Sequence, residues 1–140
     1  MIALRANEPS DVLALVQIWA RAVDASHNFL TAGDRAAIEP LVVDYVRTAG
    51  LLVATIDDLP VGFMGITGQN IDSLFIDPSA QGKGIGRLLT EQVGRPATVD
   101  VNEQNEVATA FYRHLGFEKI GRSPTDGDGR PYPLLHLRAD

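Results

Sequence analysis

Apolar residues recur at helical spacing early in the chain: Leu13, Val16, Ala20 and Val23 form one stripe, and Leu15 and Trp19 widen it. The pattern predicts a helix running to about Ala25 with Trp19 in the core. A short strand, Ile2 to Arg5, precedes it, and Asn7-Glu8-Pro9-Ser10-Asp11 carries the proline and acids of a helix start. Thr31 with Asp34 three residues later predicts the entry to a second helix, which Pro40 should bend or divide. From Leu51 the period changes. Leu51 to Ile56 and Val61 to Thr67 read as two strands of a hairpin joined at Asp57-Asp58-Leu59-Pro60.

Gly68-Gln69-Asn70 turns the chain into a further strand, Ile71 to Ile76, with Leu74 and Ile76 on one face and Phe75 on the other. Three alternating glycines then lead into a helix expected to end near Val93, with Gly94 as its stop. Thr98 to Val101 reads as a strand and Asn105 to Leu115 as a helix closed by Gly116. Phe117 to Gly121 and Tyr132 to Leu137 read as the last two strands, around a loop rich in Gly, Pro and Asp. The expected fold class is α/β (α+β), a mixed central sheet of about six to seven strands flanked by about four helices.

At 140 residues the chain is expected to be one domain, 1–140. It has no cysteine, which excludes a disulfide framework, a thiolate metal site and a cysteine nucleophile. No apolar run approaches the roughly 20 residues of a membrane span, and Met1-Ile2-Ala3-Leu4-Arg5 lacks the layout of a secretory signal, so a cytoplasmic protein without membrane contact is expected. A net charge of −6 argues against nucleic acid as a partner and favours a cationic substrate such as an amine.

Chemistry concentrates first in Gln81-Gly82-Lys83-Gly84-Ile85-Gly86-Arg87. Glycines at 82, 84 and 86 let backbone N–H groups converge on an anion, with Lys83 and Arg87 beside it. A nucleoside-triphosphate loop needs Gly-Lys-Ser/Thr, whereas Lys83 is followed by Gly84. A dinucleotide fingerprint needs Gly-x-Gly-x-x-Gly, and too little chain follows this loop for a doubly wound sheet. A tight turn without a ligand is the remaining bland reading. The second block is Asn105 to Leu115, in which Asn105, Ala108 and Tyr112 share a helical stripe and Phe111 and Leu115 form an apolar one beside it.

Together the two blocks resemble the GNAT superfamily of acyl-CoA-dependent N-acetyltransferases. The loop is similar to that family's Gln/Arg-x-x-Gly-x-Gly/Ala pyrophosphate motif, and Asn105-x-x-Ala108-x-x-Phe111-Tyr112 with Leu115-Gly116-Phe117 is similar to its second motif. Four further stretches, 26–30, 74–78, 101–105 and 129–135, resemble a bacterial branch of the family, the YjaB type. The resemblance implies the GNAT fold and acetyl-CoA as cosubstrate, with no metal. It places the pantetheine arm on the backbone of Leu74, Phe75 and Ile76 and on Asn105. The diphosphate falls on Gln81, Gly82, Lys83, Gly84, Ile85, Gly86 and Arg87. Tyr112 lies at the thioester as general acid.

The implied reaction is direct attack by a primary amine, with no covalent enzyme intermediate. The general base is left open: Asp100 matches the position some family members use, Glu103 and Asp72 compete with it, and a water chain could serve instead. His27, Phe29, Asn70 and Asp72 are candidate walls of the substrate pocket, with Tyr132 beside them. His114, near a helix C-terminus, reads as structural. A small polyamine, an aminoglycoside, an amino acid or a protein amine each suits the acidic chain, and a monomer or homodimer is expected. The competing reading is a non-catalytic acyl-CoA-binding sensor of the same fold.

Overall fold

The computed structural model describes residues 1–26 and 28–140. Among them the chain forms seven strands and four α-helices in the order β1 (Ile2–Ala6), α1 (Val12–Ser26), α2 (Ala32–Thr48), β2 (Leu51–Ile56), β3 (Leu59–Thr67), β4 (Asn70–Ile76), α3 (Ile85–Glu91), β5 (Ala97–Asn102), α4 (Glu106–His114), β6 (Glu118–Ser123) and β7 (Leu134–Ala139). The strands make one mixed sheet, ordered β1-β2-β3-β4-β5-β7-β6. Every neighbouring pair is antiparallel except β4 and β5, which are parallel and joined by the crossover through α3. No helix among the described residues is long and apolar enough to cross a membrane.

Each face of the sheet carries its own core. Leu15, Ile18, Trp19 and Val23 of α1 and Val46 of α2 pack with Val53 and Phe63 on one face. Ile85 and Leu89 of α3 and Tyr112 of α4 pack with Met64, Ile71, Val99 and Leu137 on the other. Leu15, Ile18, Leu89 and Leu137 are fully buried, each contributing about 2 kcal/mol of transfer free energy. The helical period beginning at Leu13 thus identified α1, although Leu13 itself faces solvent.

Where the elements differ from the sequence pattern, local chemistry gives the reason. α2 is one uninterrupted helix with Pro40 inside it. The proline is exposed, so water can reach the carbonyl it leaves without an N–H. The hairpin turn shrinks to Asp57 and Asp58, whose φ angles of 51° and 69° match the twist of the flanking strands, and β3 therefore starts at Leu59. α3 stops at Glu91, and the chain leaves through Gly94 at φ 79°. β7 begins only at Leu134, because Pro131 and Pro133 have no N–H for a ladder. Tyr132 turns inward to lie buried.

The entry to α1 is pinned by Asp11. Its carboxylate accepts the Glu8 N–H at 2.7 Å and two Arg5 guanidinium hydrogen bonds at 2.7 and 2.9 Å. The Arg5 hydrogen bond is the largest influence on this carboxyl and holds it below its ordinary value of 3.8, against the opposing effect of burial. Asp77, at the end of β4, is likewise lowered: burial is the largest single effect and raises it, but the Ser79 N–H, Arg21 and the Ser79 hydroxyl together outweigh it. A depressed folded-state carboxyl stabilises fully above the unfolded value, and this contribution disappears as pH falls through the folded one. Urea unfolding should therefore show a stability loss setting in below about pH 4. Asp11→Asn should cost about 1–2 kcal/mol at pH 7 and markedly less at pH 3.

Candidate functional site

The parallel pairing of β4 and β5 covers only Asn70 with Thr98 and Ile71 with Val99. Beyond those two pairs the strands part. β4 carries a register shift where Gly65 faces Ser73 and Ile66 faces Ile71, so Asp72 is the extra residue of a bulge. α3 packs against β4 and α4 against β5, one helix on each side of the parting. Between them lies a cavity of about 590 Å³.

Both sequence blocks line that cavity. Leu74, Phe75 and Ile76 form one wall; Gln81, Gly82, Gly84, Ile85, Gly86 and Arg87 form one end; Asn105, Ala108, Phe111 and Tyr112 form the opposite wall. Gly82 and Gly84 have φ of 78° and 79°, and a Cβ at either would project into open space, so the loop presents bare backbone to the cavity. At Gly86 a Cβ would lie 3.1 Å from the Phe111 ring, and glycine there lets α3 and α4 approach. A backbone cradle next to a long, mostly apolar cleft fits a ligand with an anionic end and a flexible arm.

Tyr112 is 5% exposed, and burial alone pushes its phenol well above the ordinary value of 10. Phe111 and Phe117 hold its ring edge-on at 5.1 and 5.4 Å. Its hydroxyl makes no hydrogen bond within the described residues. A neutral phenol at the cleft wall is a proton donor, not an anion. Asn105 caps α4, its Oδ1 accepting the Ala108 N–H at 3.0 Å, so the same side chain starts the helix and lines the cavity.

The carboxylates considered for proton removal stand apart. Asp100 lines the cavity. Glu103 is not among the described residues that line it, and Arg122 holds its carboxylate at 2.8 and 3.1 Å, lowering it. Asp72 also lines the cavity, but Thr67 donates to one of its oxygens and Asn70 Nδ2 to the other at 2.8 Å. Asn70 is further tied to Thr98 Oγ1 at 2.8 Å and does not itself line the cavity. Lys83 is exposed beside the loop, outside the lining. His114 lies instead on a separate 350 Å³ groove with Arg87 and Arg95.

His27 lies outside the described residues. Phe29 rests 6.0 Å from Tyr132, whose hydroxyl receives the Thr31 N–H and bonds Asp34, so these residues join the start of α2 to the segment before β7. Ala22 and Ser26 of α1 line the cavity and were missed by the sequence reading. Their spacing of four, small residues on one face of a helix, was the available signal.

Residues 47–119 match the family model described as acetyltransferase (GNAT) domain. The chain is 48% identical to the peptidyl-lysine N-acetyltransferase YjaB of Salmonella typhimurium, over 98% of this chain and 97% of that one. The solution structure of apo-form YjaB from Escherichia coli superposes with a TM-score of 0.94 at 46% identity, covering 99% of this chain and 97% of that one. The fold also matches the PaiA N-acetyltransferase of Thermoplasma acidophilum, solved in complex with coenzyme A, with a TM-score of 0.70 at 18% identity over 97% and 98% of the two chains.

The cap and the cavity wall at residue 105 are separable by substitution. Asn105→Ala should lower stability by about 1 kcal/mol in urea unfolding through loss of the α4 cap. Asn105→Asp, which keeps an oxygen for the Ala108 N–H, should lie within about 0.5 kcal/mol of the native chain.

Proposed function

Because the chain belongs to the GNAT acetyltransferase family, we propose that this acetyl-CoA-dependent N-acetyltransferase acts on the ε-amine of lysine in a peptide or protein. The observation that carries the reading is the cavity opened by the parting of β4 and β5, with the neutral Tyr112 phenol on its wall. Near full-length likeness to proteins named peptidyl-lysine N-acetyltransferase supports lysine as the acceptor. The carboxylates of Asp72 and Asp100 at the same cavity suit a cation.

Acetyl-CoA supplies an acetyl group activated as a thioester. The backbone of Leu74, Phe75 and Ile76 offers a free strand edge to its arm, because β5 no longer pairs there. Gly82 to Arg87 offer N–H groups to its diphosphate. Asn105 borders the arm. Tyr112 donates its proton to the departing thiolate, and its burial keeps it protonated through the neutral and moderately alkaline range. Asp100 takes the proton that a lysine ammonium must shed before its nitrogen can attack.

Titration calorimetry should show acetyl-CoA binding, and mass spectrometry of a lysine peptide incubated with protein and acetyl-CoA should show one added acetyl group. Tyr112→Phe should lower kcat by about 10² or more while acetyl-CoA affinity stays within about twofold. Binding without acetylation of any lysine peptide or small amine would assign the chain to the sensor role. Absence of binding at millimolar acetyl-CoA would overturn both readings.

A further inference from the structure

On the face of β5 and β7 opposite the Val99–Val101 core, Asp100 and His136 stand directly opposite one another in register. His136 Nδ1 lies 2.5 Å from Asp100 Oδ1, and its Nε2 lies 2.7 Å from Ser123 Oγ on β6. A carboxylate only accepts, so Nδ1 carries a hydrogen; Nε2 of the neutral ring then accepts from the Ser123 hydroxyl. If the ring gains a proton, the same hydroxyl turns and accepts instead. Both contacts thus survive in either state of the ring.

The ring also has a built seat. A Cβ at Gly121, its register partner on β6, would lie 3.3 Å from His136 Cδ2. The φ of Gly121 is not in the left-handed region, so space for the ring is what glycine supplies there. Asp100 is 54% exposed, and a carboxylate that open samples several rotamers unless something holds it. The imidazole takes one oxygen. Oδ2 has no hydrogen-bond partner among the described residues.

We propose that His136, seated on Gly121 and oriented by Ser123, is the positioning residue that fixes Asp100 at the cavity with Oδ2 turned free for the substrate amine. The inference rests on the acetyltransferase reading above. Asp100 Oδ2 takes one proton from the lysine ammonium. The nitrogen lone pair then forms the C–N bond as the C–S bond breaks. Tyr112 gives its proton to the thiolate, and the second proton shed by nitrogen restores the phenol through solvent. Asp100 releases its proton to water.

Steady-state kinetics on a lysine peptide, with calorimetry of acetyl-CoA, tests this. His136→Leu should lower kcat about tenfold or more, with acetyl-CoA affinity and KM unchanged. His136→Asn keeps an N–H donor near the position of Nδ1 and should recover most of that loss. Combining His136→Leu with Asp100→Asn should cost no more than Asp100→Asn alone. Native kcat in His136→Leu, no recovery in His136→Asn, or full additivity overturns the proposal while leaving the acetyltransferase reading intact. A native chain that binds acetyl-CoA and acetylates no amine overturns that reading, and this proposal with it.

Discussion

Everything at the site depends on two parallel strands that stop pairing. A parallel ladder between β4 and β5 could have run their whole length, and it ends after Ile71 and Val99. Backbone groups freed in this way must find partners or stay hydrated. The bulge at Asp72 re-aims β4, and α3 and α4 then pack on separate strands with the Gly86–Phe111 contact between them. The wedge persists because each flank has its own core residues, Ile85 and Leu89 on one side and Tyr112 with Phe117 on the other. The cleft is therefore built into the sheet, not carved from a loop.

Charge is distributed along that cleft in a way the net value of −6 conceals. At the glycine loop the backbone presents N–H groups, and the cations beside them contribute little by proximity alone, since Arg87 is exposed and shares Glu91 at 3.5 Å. Asp72 and Asp100 lie at the same cavity on the β4 and β5 walls. Donor groups and carboxylates thus occupy different parts of one cavity. At the loop the backbone is bare because Gly82 and Gly84, at positive φ, carry no side chain. The carboxylates are held by neighbours, Asp72 by Thr67 and Asn70 and Asp100 by His136.

The sheet and helices were legible because their signals are local. The helical stripe of α1, the Thr31 cap and the glycine loop all depend on residues within a turn or two of each other, and all three stand where the spacing placed them. Pro40 does not divide α2, because the surface position of that turn lets water replace the one hydrogen bond the proline removes. The strand bulge, the early stop of parallel pairing and the Asp100–His136 pair were not legible. Each depends on register between strands, the bulge on the β3–β4 hairpin and the other two on segments farther apart in sequence, 36 residues in the last case. Gly121 and Ser123 are the local trace of that pair, a small residue and a hydroxyl at alternate positions of an edge strand, and they carry meaning only once β7 is in place.

The helix α4 shows why fold and chemistry cannot be tuned separately here. Asn105 starts the helix and lines the cavity; Tyr112, seven residues on, closes the core and presents a phenol to the same cavity. The burial that raises the phenol is the burial that stabilises the helix against β5, so loosening one weakens the other. A donor held by two aromatic rings also cannot swing to a competing acceptor. A side chain this constrained has the direction of its phenol fixed by packing, and the Asp100 carboxylate on β5 is fixed in turn by the His136 imidazole.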